Sequence, residues 1–185
     1  MKSAELIADR IAGLEASVEF FSQKRKVERE VWIATEFLRN LHLRFKVEDV
    51  RSVKDEPPDV LFRNANFEVV ELLDPGRKRH QEYKAQLKKA RNATHPSELV
   101  TMFTPVDIQI ADLYEKCVAL AETKAKKYAP AVRSGLDLLV YANLTRIWDV
   151  IGKEFPDPKE LRNQGWRSVS FVKGNRSACF MARKD

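Results

Sequence analysis

The chain has 185 residues, of which 44% are hydrophobic, and it carries a formal net charge of +6. A chain of this length suits one domain with a hydrophobic core. No stretch approaches the roughly 18 uncharged apolar residues that a membrane span needs, and the first residues lack the basic-then-apolar order of a signal peptide. We therefore expect a cytoplasmic protein with no membrane span.

The cysteines and glycines argue against several classes of site. Cys117 and Cys179 lie far apart, and neither has a second cysteine or a histidine at metal-ligand spacing. A disulfide framework and a structural zinc site are therefore disfavoured, and we expect both residues to be buried free thiols. The six glycines form neither a Walker loop nor a dinucleotide fingerprint, which disfavours an ATPase or a Rossmann oxidoreductase.

The basic residues are clustered rather than evenly spread. One cluster covers residues 24–29, a second runs from residue 77 to residue 91, and a third covers residues 124–127. Such patches suit a polyanion, so nucleic acid is the expected partner. The residues expected to bind it are Arg77, Lys78, Arg79 and Lys84. The alternative is that each cluster is the solvated face of a helix.

The first half of the chain begins with helix and continues as strands. Apolar residues recur at steps of three and four over residues 1–44, which predicts two helices or one bent helix. Alternation over residues 45–53 predicts a first strand. Residues 59–62 and 67–73 read as two further strands, and the turn-forming residues 63–66 between them predict a hairpin.

The second half alternates helices with strands. Residues 77–92 are charged and compatible with a surface helix, residues 107–128 predict a long helix, and residues 136–142 predict a core strand. After a short helix, residues 166–172 and 178–181 predict a second hairpin. A long helix between strands implies at least one parallel strand pair, with helices on the faces of the sheet.

These elements predict one α/β domain over residues 1–185. Its parts are a helical segment (1–44), a core (45–145) and a C-terminal helix and hairpin (146–185).

One pair of acidic residues is chemically suggestive. Side chains alternate along a strand, so Glu71 shares its face with the apolar Phe67, Val69 and Leu73. An ionised carboxylate in such surroundings needs an ionic partner, hydrogen bonds or a cation. Asp59 opens the preceding strand, and two converging carboxylates suit a hard cation. The alternatives are that Asp59 caps a turn and that Glu71 pairs with a basic residue at the sheet edge.

The dipeptide Pro58-Asp59 before one strand and Glu71 inside the next resemble the PD-(D/E)XK superfamily of nucleases. The likeness spans about residues 28–145 and is closest to a small bacterial family of proposed endonucleases. It implies a restriction-endonuclease-like mixed central sheet flanked by helices. It also implies that Asp59 and Glu71 hold Mg²⁺ or Mn²⁺, which activates a water to hydrolyse a phosphodiester of DNA or RNA.

The resemblance suggests further catalytic residues. Some members use a glutamate from the helix before the first strand, and Glu30 matches it best, with Glu36 as second choice; either is alternatively a surface acid. The pattern places a lysine two residues after the second acid, where this chain has Leu73. Lys124 is the candidate replacement, because it extends an apolar stripe of the long helix. The alternative is a lysine at a helix end with its ammonium in water.

The missing lysine leaves three hypotheses open. The first is a metal-dependent nuclease that uses these residues, with Lys78 and Lys84 as weaker substitutes for the lysine. The second is a catalytically degenerate nuclease-fold module that binds nucleic acid or a protein partner. The third is a structural or partner-binding protein with no nucleic-acid role.

Overall fold

The computed structural model describes residues 3–183, which form an α/β fold of six helices and eight strands. The helices are α1 (Ser3–Phe20), α2 (Lys26–Asn40), α3 (Arg79–Asn92), α4 (Ile110–Ala125), α5 (Pro130–Arg133) and α6 (Lys159–Gln164). The strands are β1 (Arg51–Ser52), β2 (Val60–Phe62), β3 (Ala65–Leu73), β4 (Val106–Gln109), β5 (Asp137–Asn143), β6 (Ile147–Ile151), β7 (Ser168–Lys173) and β8 (Arg176–Ala182). No helix in this part of the chain is both long and apolar enough to cross a membrane.

The described residues divide into two compact units. The smaller unit contains the residues up to Arg29 together with Pro75–Thr104. In it, α1 and α3 pack through a small apolar core of Leu14, Leu87 and Ala90. The larger unit contains Glu30–Asp74 and the residues from Pro105 onwards, and it holds all eight strands.

A six-stranded mixed sheet in the order β1-β2-β3-β5-β7-β8 forms the centre of the larger unit. Strands β3, β5 and β7 run parallel, and antiparallel hairpins extend the sheet on both sides. The α/β class, the mixed sheet flanked by helices, the parallel pairing and both hairpins were predicted from the sequence, and the structure confirms them.

The two faces of the sheet carry separate apolar cores because the side chains of a strand alternate. On one face, Phe67 and Val69 of β3 pack in a cluster with Ile33 and Phe37 of α2. On the other face, Val70 and Leu72 pack against a cluster that contains the buried stripe of α4. A side chain on β3 therefore faces either the α2 side or the α4 side.

Three predicted features differ from the structure. The expected strand over residues 45–53 is reduced to β1, because Val47–Asp49 form a 3-10 turn whose Asp49 carboxylate accepts the Lys46 N–H at 3.0 Å. The long helix begins at Ile110, since β4 pairs in parallel with β6 in a second, two-stranded sheet. Both cysteines are free, but only Cys117 is buried. The prediction of a buried thiol is wrong for Cys179, which lies on the terminal strand β8.

Candidate functional site

Asp59 lies beside Glu68 where the β2–β3 hairpin begins to pair. The Asp59 N–H donates to the Phe67 carbonyl at 3.0 Å, and the Asp59 carboxylate accepts the Val69 N–H at 2.8 Å. Asp59 thus contacts the backbone on both sides of Glu68. Both acids are buried, with 5% and 2% of their surfaces exposed. Ionised groups buried to this extent need compensation from nearby donors or cations.

Two side chains near the C-terminal end of α4 reach Glu68. Lys124 Nζ lies 2.6 Å from Glu68 Oε1, and the Tyr128 hydroxyl donates to the same oxygen at 2.6 Å. Lys124 follows the buried Cys117 and Ala121 on the sheet-facing side of α4, so its ammonium is directed to the sheet. Tyr128, four residues later, packs edge-to-face against Trp166 at 6.2 Å. Lys124 in the last turn of α4 and Tyr128, three residues beyond its end, therefore supply one cation and one neutral donor to one carboxylate.

The surroundings of Tyr128 hold its phenol in the protonated form. Burial raises the pKa of the phenol far above its usual value, and the hydrogen bond to Glu68 raises it further. The negative charges of Glu68, Asp59 and Glu56 act in the same direction. Tyr128 remains a hydrogen-bond donor at neutral pH.

The second oxygen of Glu68 is the least satisfied atom of the site. Glu68 Oε2 is buried and has no hydrogen-bond partner among the described residues. Leaving a buried acceptor unsatisfied costs about 1–3 kcal/mol, and more when the group is charged. A hard cation prefers carboxylate oxygens, and Mg²⁺ binds through one or two carboxylates while keeping several waters. Asp59 and Glu68 are therefore two carboxylates that could hold a magnesium ion.

No cluster of three or more histidine, cysteine or acidic side chains with metal-binding geometry occurs within residues 3–183. A site that encloses the ion with protein ligands, as many calcium and zinc sites do, is not formed by this part of the chain.

Glu71 occupies the opposite face of β3 from Glu68. It lies three positions further along the strand, on the α2 side with Phe67 and Val69, and its Oε1 accepts the Asn143 side-chain amide at 2.8 Å. The structure therefore differs from the prediction that Asp59 converges with Glu71. The reason is the register: the turn has only two residues, Arg63 and Asn64, and the pairing that follows brings Asp59 to Glu68.

The structure separates the other predicted acids from Asp59 and Glu68. Glu30 is buried, 7% exposed, on the same side of α2 as Ile33 and Phe37, and this side packs on the opposite face of the sheet from Lys124. Glu36 pairs with Arg39 at 2.7 Å on the same helix. The predicted Lys124 does lie beside a buried strand acid. Glu68 and Tyr128 were not predicted from the sequence. Tyr128 follows Lys124 by four residues within the stretch 107–128 that the sequence predicts as helix, although α4 itself ends at Ala125.

The predicted nucleic-acid-binding residues fall into two groups in the smaller unit. Arg77 donates to the Glu82 carboxylate at 2.8 Å, and Arg79 is buried with its guanidinium 3.5 Å from the centre of the Phe21 ring. Both arginines therefore contribute to the packing of the unit. Lys78 and Lys84 are exposed.

Comparison with known families adds an independent observation. A family model described as "putative endonuclease, protein of unknown function (DUF1780)" matches residues 2–185. The chain belongs to this family. The DUF1780 match covers both compact units, so the family is defined by the smaller unit as well as by the one that holds the acidic site.

A solved structure also resembles this member of the DUF1780 family. It is a protein of unknown function from Pseudomonas aeruginosa strain PAO1, described as belonging to the monooxygenase superfamily. The two chains are 29% identical, with a TM-score of 0.65, over 98% of this chain and 87% of that one. Comparison with curated proteins gives no match. The likeness indicates a shared fold, and the monooxygenase description applies to that protein.

Proposed function

We propose that this chain is a metal-dependent nuclease that hydrolyses phosphodiester bonds in nucleic acid, with Asp59 and Glu68 as the metal ligands. The observation that carries the proposal is the group of Asp59, Glu68 and Lys124 on adjacent elements, with a buried carboxylate oxygen left unsatisfied. The family's description as endonuclease supports the same reaction and a nucleic-acid substrate.

The order of elements supports a restriction-endonuclease-like architecture. A β-hairpin that begins with Pro58-Asp59 is followed along the chain by α3, β4, α4, α5 and then β5, which pairs in parallel with β3. This is the arrangement that the PD-(D/E)XK resemblance implies, with Glu68 in place of Glu71 as the second acid. Two residues after Glu68 the chain has Val70, so the expected strand lysine is still missing. Lys124 supplies the ammonium from α4.

Each residue of the group has a distinct task in this proposal. When bound, a divalent cation lowers the pKa of its water and polarises the phosphodiester. Asp59 and Glu68 hold the cation, and the Val69 N–H fixes the orientation of Asp59. Lys124 has three N–H donors, of which Glu68 takes one, so the others are available to stabilise negative charge that develops on the phosphate. Tyr128 fixes Glu68 Oε1, so Oε2 is the oxygen that would hold the cation.

A second function is favoured by one specific observation. Lys124 already neutralises Glu68, and an ion pair at 2.6 Å competes with a cation for the same carboxylate. If Glu68, once neutralised in this way, does not bind the cation, the chain is a catalytically degenerate module that binds nucleic acid without cutting it.

The two functions are separated by cleavage assays on duplex DNA, single-stranded DNA and RNA, with Mg²⁺ or Mn²⁺ and with a chelator. We expect metal-dependent cleavage that falls at least about 100-fold in Asp59→Asn and in Glu68→Gln, because each change removes a charged ligand. Glu71→Gln is the matched control: it makes the same chemical change on the opposite face of β3 and should keep activity within a few-fold of wild type.

Several outcomes would contradict the nuclease assignment. Absence of cleavage on every substrate, with binding retained, would favour the degenerate module. Loss of cleavage in Glu71→Gln but not in Glu68→Gln would move the site to the α2 side of the sheet. Thermal unfolding of each variant, with and without Mg²⁺, shows whether a loss of activity reflects unfolding. A stabilisation by Mg²⁺ that disappears only in Asp59→Asn and Glu68→Gln would support the ligand assignment.

A further inference from the structure

The basic residues in and around α3 divide by their contacts. Arg77 pairs with Glu82, Arg79 packs over Phe21, and Arg91 pairs with Glu15 at 2.7 Å. The guanidinium groups are thus used within the smaller unit. This is the behaviour expected of arginine, whose planar guanidinium forms oriented pairs with carboxylates and stacks on aromatic rings.

The lysines of the same segment behave differently. Lys84, Lys88 and Lys89 on α3 and Lys78 just before it are exposed. None of the four forms an ion pair with a residue in the described part of the chain. Glu82 is the single acidic residue of α3, and it forms an ion pair with Arg77. We call these four residues the lysine face of α3. It is a run of positive charge that the unit itself does not neutralise.

The spacing of the lysine face suits a regular row of phosphates. Lys84 and Lys88 are four residues apart and project from the same side of the helix. Lys84 and Lys89, both within α3, are separated by 5 positions, or about 7.5 Å at the helical rise of about 1.5 Å per residue. Duplex DNA carries one negative charge per about 1.7 Å of its axis, which is a higher density than a single strand offers.

The aromatic residue of α3 argues against recognition of unpaired bases. Proteins that bind single strands place exposed aromatic rings where bases stack on them. The one aromatic side chain of α3 is Tyr83, and its ring is stacked on Phe21 with centroids 5.2 Å apart and planes at 6°. The ring is therefore engaged within the unit, and the lysine face offers charge without a stacking surface.

We propose that the lysine face of α3 binds the phosphate backbone of double-stranded DNA. This inference rests on the proposed function, because it names the surface that binds the nucleic-acid substrate. The lysine face belongs to the smaller unit, whereas the acidic site belongs to the larger one. Binding through phosphates alone is independent of sequence and depends steeply on salt. The proposed surface differs from the one predicted from the sequence: Lys88 and Lys89 take the place of Arg77 and Arg79.

The test measures fluorescence anisotropy of a labelled 20-base-pair DNA duplex with the full chain in the presence of a chelator, so that no cleavage occurs. The triple variant Lys84→Gln, Lys88→Gln, Lys89→Gln removes three charges from α3. We expect its Kd to rise at least about 10-fold at low salt. The slope of log affinity against log salt should fall by about 0.9 for each phosphate that the variant no longer neutralises.

The matched control is the triple variant Lys116→Gln, Lys153→Gln, Lys159→Gln. It removes the same charge from exposed lysines of the larger unit. We expect little change in its Kd or salt slope. Circular dichroism melting of both triples verifies that they fold. If the two triples weaken binding equally, net charge alone explains the binding and the proposal is overturned.

Two further results keep this inference distinct from the proposed function. Tighter binding of a single strand of the same length, unaffected by the α3 changes, would overturn the lysine face as a duplex surface. If the wild-type protein binds the duplex but does not cleave it in the presence of Mg²⁺, the nuclease proposal is contradicted and the role of the lysine face is not. If the α3 triple variant binds the duplex as tightly as wild type and the wild-type protein cleaves it, only the role of the lysine face is contradicted.

Discussion

The surroundings of Glu68 show how one carboxylate can be buried in an apolar sheet. Its Oε1 receives a charged donor from Lys124 and a neutral donor from Tyr128, and its Oε2 has no partner within residues 3–183. Two donors on one oxygen orient the carboxylate and leave the other oxygen for a ligand. The asymmetry is the residue-level reason for treating this acid, and not Glu71, as the centre of the site.

The hydroxyl of Tyr128 gives a test at this scale. Tyr128→Phe removes the donor and keeps the ring against Trp166. Because hydrogen bonds to charged groups contribute about 1.5–3 kcal/mol, we expect the free energy of unfolding at pH 7 to fall by about 2 kcal/mol. Urea denaturation measures it. Tyr83→Phe is the control, since the Tyr83 hydroxyl has no hydrogen-bond partner among the described residues; equal decreases in both variants would contradict the role of Tyr128.

At the scale of elements, Asp137 joins three strands at one end of the sheet. It begins β5, and its carboxylate accepts the Asn66 N–H of β3 at 2.8 Å and the Ser168 hydroxyl of β7 at 2.7 Å. Arg167, just before β7, donates to both of its oxygens. These contacts fix the parallel register of β3, β5 and β7, on which the position of Glu68 depends.

The exposed pair of Asp149 and Arg176 provides a matched comparison for Asp137. Both pairs are bidentate, but Asp137 is 6% exposed whereas Asp149 lies at the surface. Asp137→Ala leaves a partly buried guanidinium and a backbone N–H without their acceptor, so we expect the free energy of unfolding in urea to fall by about 3–5 kcal/mol. Asp149→Ala should lower the free energy of unfolding by only a fraction of that amount, because water and salt screen the exposed pair and the main loss is the hydrogen bond from the Val150 N–H at 2.8 Å. If the free energy of unfolding falls by similar amounts in Asp137→Ala and Asp149→Ala, burial does not determine how much each ion pair contributes to stability.

The elements were predictable where local pattern determines them, and the register was not. The apolar run of β3 and the stripe of α4 are read directly from sequence periodicity. The choice between Glu68 and Glu71 depends on a two-residue turn in which Arg63 adopts a φ of 52°, a conformation that its side chain does not favour. Strands β4 and β6 pair across about 40 positions, and strands this short carry little periodic signal.

At the scale of the whole molecule, binding and chemistry are assigned to different units. The proposed lysine face belongs to the smaller unit, and the proposed cation site belongs to the larger one. Each assignment is testable by variants that leave the other unit unchanged. The stability of the larger unit is a separate property. We expect it to depend on pH, because the core of this unit contains a titratable group.

That group is Cys117, which is fully buried among the apolar side chains of the α4 side. Burial raises the pKa of its thiol from about 9 to about 12. The unfolded chain therefore loses this proton at lower pH than the folded chain does. The corresponding stability is fully present below about pH 9 and is lost as the pH rises towards 12.

Cys117→Ala isolates this contribution. The variant has a lower free energy of unfolding than wild type at every pH, because it removes a buried side chain. The difference in free energy of unfolding between the two proteins should narrow by about 1.4 kcal/mol between pH 8 and pH 10. The reason is that wild type loses about 1.4 kcal/mol for each pH unit above the pKa of the unfolded thiol. Urea denaturation in a reducing buffer at pH 8, 9 and 10 measures the difference. Cys179→Ala, at an exposed thiol, should show no such narrowing. If the difference in free energy of unfolding between wild type and Cys117→Ala is the same at all three pH values, the thiol has the same pKa in the folded and unfolded states. In that case α4 does not shield the thiol from water.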